Sequence, residues 1–207
     1  MILDVKKVLM LAPHADDAEV AAGGTISRFL REGKEIYVAV FSETYDGIEK
    51  GRIGELYNAM EVLGVPKKNL LIWNFQDRRL NENRQDILEI LLEIKKQINP
   101  DLVIMPFLED FHQDHQVVSN EGLRAFSKDT NIWGYEYPWN SLIFHTNCFI
   151  RLEEEDLGKK LKAMAEYKSQ QDRVYFNPEI IKGWALTRGV AIKTKYAESF
   201  EIIRMLI

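Results

Sequence analysis

Cysteine is almost missing from this chain: Cys148 stands alone among 207 residues. That excludes an internal disulfide framework and fits a reducing compartment. Its neighbours, Phe149 and Ile150, make a buried structural thiol the expected role rather than a nucleophile. Long hydrophobic runs are missing too, since no uninterrupted apolar stretch approaches the ~18 residues of a membrane span. The start, Met1-Ile2-Leu3-Asp4-Val5-Lys6-Lys7, lacks the basic leader and apolar core of a signal peptide. A soluble, cytoplasmic protein is the expectation. Basic excess is absent as well: the net charge is -5 and there is no basic tail, which argues against nucleic-acid and anionic-membrane partners. The run Glu153-Glu154-Glu155-Asp156 reads instead as the acidic first turn of a helix. With no linker, repeat or low-complexity tract, residues 1–207 are expected to form a single domain with a sizeable core.

What is present is an alternation of apolar runs and amphipathic stretches. Residues 7–11 read as a strand buried on both faces, and residues 19–31 as a helix with Gly33 as its stop. Residues 36–41, rich in branched and aromatic side chains, form a second strand. A helix over 54–63 ends at Gly64, and a third strand covers 69–75. In residues 85–98, Ile87, Leu91, Ile94 and Ile98 recur at helical spacing, with Leu88 and Leu92 widening the stripe. Pro100 stops that helix, and Leu102-Val103-Ile104-Met105 supplies the next strand. This order predicts a three-layer α/β/α Rossmann-like sandwich with a mainly parallel sheet. Beyond it, strands are expected over 132–137, 141–152 and 199–207, with helices over 153–171 and starting over 177–183, while 185–194 suits helix or strand, helix being favoured.

Two clusters follow the apolar strands: Pro13-His14-Ala15-Asp16-Asp17-Ala18-Glu19 and Phe111-His112-Gln113-Asp114-His115. Ligands collect outside the carboxyl ends of such strands. His14 and Asp17 are three apart, as are His112 and His115, and one helical turn brings such positions to the same side. Imidazoles and a carboxylate with a position left open for water make a catalytic zinc site. Asp16 is then left as a general base. Either His112 or His115 is left to stabilise an oxyanion or act as general acid, with Asp114 orienting it. The bland alternative, Asp16-Asp17 as a helix-capping pair, does not explain the histidines. His145 suits a substrate contact or ordinary packing equally. Gly23-Gly24 lacks the G-x-G-x-x-G phosphate turn. His14-x-Asp16 with a distant histidine also fits a non-haem Fe2+ triad, but the strand-helix alternation does not suit that class.

The chain resembles the LmbE/PIG-L family of zinc-dependent N-acetylglucosamine de-N-acetylases. Its opening signature stands as His14-Ala15-Asp16-Asp17-Ala18-Glu19 with Gly23-Gly24-Thr25-Ile26, and its later one as Asp110 and His112-Gln113-Asp114-His115. Softer matches are Arg52, Glu55, Ala59, Leu63-Gly64, Phe75-Gln76-Asp77, Ser169-Gln170 and Ala197-Glu198-Ser199-Phe200. The resemblance implies zinc, or another divalent ion such as Fe2+, on His14, Asp17 and His115. It makes Asp16 the general base and His112 an imidazolium that stabilises the oxyanion, supported by Asp114. Arg52 is the implied substrate contact, suited to sugar hydroxyls or an acidic group, and Asp110 and His145 are further candidates for substrate binding. The implied reaction removes the N-acetyl group from an amino sugar or its conjugate, whose carrier could be a thiol precursor, a lipid or a nucleotide. The alternative is a carbohydrate-binding pseudoenzyme that keeps the pocket without turnover. Trp133, Tyr135, Tyr137, Pro138 and Trp139 are either a wall of the sugar site or strand core, and the apolar end Ile202-Ile203 to Met205-Leu206-Ile207 packs inside or in a homo-oligomer. One departure is plain: Ala15 stands where the family usually has proline.

Overall fold

The computed structural model describes residues 5–42 and 52–206; residues 1–4, part of the start read above, and the terminal Ile207 lie outside them. Apolar interiors build the strands β1 (Lys7–His14), β2 (Glu35–Ser42), β3 (Leu70–Ile72), β4 (Leu102–Pro106) and β5 (Asn131–Tyr135). Between and after them come the helices α1 (Asp17–Arg31), α2 (Arg52–Leu63), α3 (Arg84–Ile98), α4 (Gln113–Phe126), α5 (Glu154–Ala165) and α6 (Pro178–Ala191). Two later strands, β6 (Cys148–Leu152) and β7 (Tyr196–Arg204), complete one sheet in the order β3-β2-β1-β4-β5-β7-β6. All pairings from β3 to β5 are parallel, and β7 alone runs against its neighbours.

Strand alternation sorts the core into its layers. Val8, Met10 and Ala12 of β1 face a cluster with side chains of α1, α2, α5 and α6. Leu9 and Leu11 face the opposite cluster, built with α3 and α4. The three-layer sandwich and its mainly parallel sheet are as predicted. The α3 stripe is buried as its spacing required, except that Leu92 turns outward at 40% exposure.

Departures are concentrated in the last third. The third strand is confined to Leu70–Ile72, and the expected strand over 141–152 contracts to Cys148–Leu152. The cause is the availability of a partner. The first half of β7 pairs with β6 and the second half with β5, and the exchange falls at Phe200, opposite both Cys148 and Tyr135. Residues before Cys148 therefore meet no ladder. The helix expected over 153–171 stops at Ala165, after which the chain tightens into 3-10 turns at Lys168–Gln170 and Val174–Phe176. The last strand begins at Tyr196, three residues earlier than its apolar run suggests. No helix among the described residues is long and apolar enough to cross a membrane.

One irregularity inside α1 has a clear electrostatic cause. The helix kinks at Ala22 (φ -137°), which frees amides that an unbroken helix would use. The buried carboxylate of Glu198 accepts from Gly24 N–H at 3.1 Å and Thr25 N–H at 2.6 Å, and Lys160 Nζ lies 2.6 Å from the same side chain. An ion pair on β7 and α5 thus caps the second half of α1.

α6 contains two glycines with opposite roles. A Cβ at Gly189 would come within 2.5 Å of the Lys195 carbonyl oxygen and 2.6 Å of that of Thr194, so the helix lies against backbone that cannot rotate away. A Cβ at Gly183 would meet nothing within 4 Å. Gly189→Ala should therefore destabilise by about 2 kcal/mol or more through overpacking, while Gly183→Ala should stabilise by about 0.5–1 kcal/mol through helix propensity. Urea unfolding of both variants checks the pair; equal effects at the two positions would refute this account of the close approach.

Candidate active site

The order of the strands decides where the two clusters go. From β1 the chain crosses to β2 and β3 on one side, then returns to place β4 on the other. The carboxyl ends of β1 and β4 thus flank the point where the winding reverses, the usual ligand crevice of such sheets. β1 ends at His14 and α1 begins at Asp17, while α4 begins at Gln113 with His112 as its cap. Asp16 sits at the start of α1 with φ 118°, in the left-handed region, and makes no capping bond. That turn sends its carboxylate to Arg52, the first residue of α2, whose Nη2 is 3.0 Å from Asp16 Oδ2.

Asp17 Oδ2 lies 3.2 Å from His14 Nδ1 and 3.4 Å from His115 Nε2. The ligand atoms of these three buried residues fall within 4.8 Å of one another. The far side of each imidazole is already engaged. His14 Nε2 is 3.0 Å from both Asp114 Oδ2 and Asp77 Oδ1, and His115 Nδ1 is 2.7 Å from Asp110 Oδ2. The two inward nitrogens thus converge on Asp17, and a ring that donates outward can offer its inward nitrogen to a metal once that nitrogen gives up its proton. The other grouping with metal-ligand potential, His14, His112 and Asp114, is spent differently: Asp114 also accepts from Arg78 N–H at 2.6 Å and Leu80 N–H at 3.2 Å. Tyr137 Oη donates to Asp17 Oδ1 at 3.0 Å, filling the remaining oxygen.

Electrostatics follow from burial and these contacts. Burial alone would lower the His14 imidazole, but its bonds to Asp114, Asp17 and Asp77 win and raise it well above its usual value. His115 behaves alike: burial opposes, the charge of Asp17 and the bond to Asp110 prevail, and the ring rises to about 9. Burial would raise Asp17, yet His115 and His14 hold it well below the carboxylate range. Asp16 is pushed up to about 6 by burial, with Arg52 opposing. Glu19, buried and bonded by Tyr167 Oη at 2.5 Å, rises to about 8, again by burial. Burial and the charges of His115 and His14 lower His112.

His14, Asp16, Asp17, Arg52, His112 and His115 all line one cavity of about 200 Å³. Asp110 and Asp114 stand behind it, as the hydrogen-bond partners of His115 and His14. This corrects two expectations. Asp110 supports a histidine rather than facing substrate, and the Asp114 side chain serves His14, while only its backbone N–H reaches His112 Nδ1, at 3.2 Å. His145 is exposed and absent from the lining. The aromatic group divides: Trp133 and Tyr135 are core, whereas Tyr137 and Trp139 reach the cavity. Trp139 stacks on Tyr175, with ring centres 4.8 Å apart. Asp77, Arg78, Asn140, Gln170, Arg173 and Tyr175 complete the wall from loops whose approach no local spacing announced.

Residues 9–126 match the sequence profile of the family described as PIG-L, GlcNAc-PI de-N-acetylase. The chain belongs to the PIG-L family. It is similar to the diacetylchitobiose deacetylase of Thermococcus kodakarensis, 28% identical over 97% of this chain and 84% of that protein. A probable N-acetyl-alpha-D-glucosaminyl L-malate deacetylase 2 from Bacillus cereus is 30% identical over 59% of this chain and 62% of its own length. In fold, the chain superposes on the N,N'-diacetylchitobiose deacetylase of Pyrococcus horikoshii with a TM-score of 0.79 at 23% identity, covering 97% of this chain and 84% of that one.

Within this PIG-L site, Ala15 acquires a physical reason. Its N–H, which proline would lack, donates to Ser42 O at 3.2 Å, and its carbonyl accepts from Arg52 at 3.0 Å. Cys148 lies outside the cavity lining, and burial pushes its thiol up to about 11. At pH 8 only the thiolate alkylates, so iodoacetamide should label Cys148 about 100-fold more slowly than an unhindered thiol. Labelling at the ordinary rate, read by mass spectrometry, would contradict the structural role assigned to it.

Proposed function

We propose that this chain is a zinc-dependent N-deacetylase that frees acetate and an amine from an N-acetylglucosamine-type sugar or its conjugate. The observation that carries this reading is the convergence of His14 Nδ1 and His115 Nε2 on Asp17 Oδ2, with each outward ring nitrogen engaged by a carboxylate. Two imidazoles and one carboxylate, with solvent access from the cavity, fit a divalent ion that keeps an open position. The names of the relatives agree with the reaction class. Zinc bound there would polarise the acetamide carbonyl and bring the pKa of a water toward ~7.

The chain's own groups do the rest. The Asp16 carboxylate takes a proton as water adds its oxygen to the carbonyl carbon. His112, whose Nδ1 accepts from the Asp114 amide, carries its proton on Nε2 as a neutral ring and donates it in a hydrogen bond to the developing oxyanion. When the C–N bond breaks, the proton on Asp16 passes to the leaving nitrogen, giving the free amine and acetic acid, which ionises to acetate. Arg52 holds the Asp16 carboxylate in place. On the sugar side, Asp77 Oδ2 is buried without a partner among the described residues and lines the cavity through its residue, which suits a ligand rich in hydroxyl donors.

Asp16→Asn should lower acetate release at least ~10³-fold while one zinc per chain is retained by atomic emission; asparagine tolerates the left-handed backbone there. Turnover surviving in that variant would remove Asp16 as the base. Chelator treatment should abolish release and added zinc restore it. Asp110→Asn should weaken zinc affinity by about 10–100-fold, measured by competition with a chromogenic chelator, because the His115 tautomer is no longer enforced; unchanged affinity would count against His115 as a ligand.

A further inference from the structure

Gln170 is a buried side chain of the cavity wall that the mechanism leaves unused. It is 4% exposed, and its Oε1 has no hydrogen-bond partner among the described residues. The direction in which its amide points is fixed from outside the cavity. Glu55 of α2 accepts from Ser169 N–H at 2.9 Å and from Ser169 Oγ at 2.6 Å. A carboxylate only accepts, so the Ser169 hydroxyl proton is committed to Glu55. Its oxygen can then only accept from Gln170, which lies 3.1 Å away through Nε2. The amide nitrogen must face Ser169, and the carbonyl oxygen is the group left without a partner, on a residue that lines the cavity. Three residues thus form a polarity relay that ends in one buried, waiting acceptor.

We infer that Gln170 is a specificity-determining residue that accepts a hydrogen bond from one hydroxyl of the bound sugar, and that Glu55 is the positioning residue that keeps the acceptor turned inward. The inference rests on the amino-sugar reading above and adds which residue selects the hydroxyl. A buried acceptor left unpaired by the wrong ligand supplies the discrimination, because its lost solvation is not repaid. Glu55→Gln supplies a reversal without touching the cavity. Its amide oxygen stays on Ser169 N–H, its NH2 donates to Ser169 Oγ, and the serine proton turns to Gln170. The Gln170 amide then flips and presents N–H to the ligand.

The test uses zinc-loaded protein and N-acetylglucosamine with each hydroxyl replaced in turn by fluorine, which cannot donate. Wild type should lose about 10–100-fold in kcat/KM at one position. That penalty should collapse to within about threefold in Gln170→Leu and shrink in Glu55→Gln, whose change lies outside the cavity lining. Equal tolerance of all analogues by wild type would overturn the inference, as would a penalty that persists in a folded Gln170→Leu. Should Gln170→Leu fail to fold, Glu55→Gln decides: an unchanged penalty there refutes the relay. Should wild type release no acetate from the parent sugar, the deacetylase reading falls. The same analogue series read by calorimetric binding still judges Gln170, with selective binding supporting it and indifferent binding refuting it.

Discussion

Everything in this site depends on the parallel pairing of β1 with β4, in which Val8, Leu9 and Met10 stand opposite Leu102, Val103 and Ile104. That register places two turns from distant parts of the chain beside one another, and both turns open helices whose N-terminal ends face the gap. Neither turn is complete alone. His14 and Asp17 come from one, His112 and His115 from the other, and Asp110 and Asp114 are useful only because each reaches a different imidazole. A shift of one residue in the pairing would turn the side chains of β4 to the other face and separate the histidines.

Once the register is set, the site is held together by carboxylates rather than by apolar packing. Asp17 sits between His14 and His115, while Asp114, Asp77 and Asp110 occupy the outward nitrogens. Such a concentration of acids is stable only with compensating protons, cations or a metal. The proton affinities follow: His14 and His115 are raised and Asp17 is lowered. A divalent ion that enters between them replaces protons already demanded by the arrangement.

The clusters were legible because chemistry-bearing residues follow directly on apolar strands, where the fold puts ligands whatever the details. Their division of labour was less so. Spacing tells that His14 and Asp17 can face one point, but not which imidazole nitrogen a neighbouring carboxylate addresses. Asp114 was therefore assigned to His112 when it serves His14. His145 was a candidate by residue type alone, and it lies on a segment that lacks a pairing partner. Gln170, Arg173 and Tyr175 come from short turns after α5, without hydrophobic period, and their place depends on how α5 and α6 cover the sheet. The strand limits near 148 and 196 were hidden for a similar reason, since β7 divides its two halves between two partners.

The kink at Ala22 makes α1 two segments rather than one lever. The inner segment carries Asp17 and Glu19; the outer one carries Arg28 and Arg31, whose ion pairs are with Glu32 and Asp156. Glu198 and Lys160 clamp the joint from the sheet and from α5. The outer segment is thereby tied to the sheet edge and to α5, through the Arg151 carbonyl and Asp156, rather than to the carboxylate between the histidines.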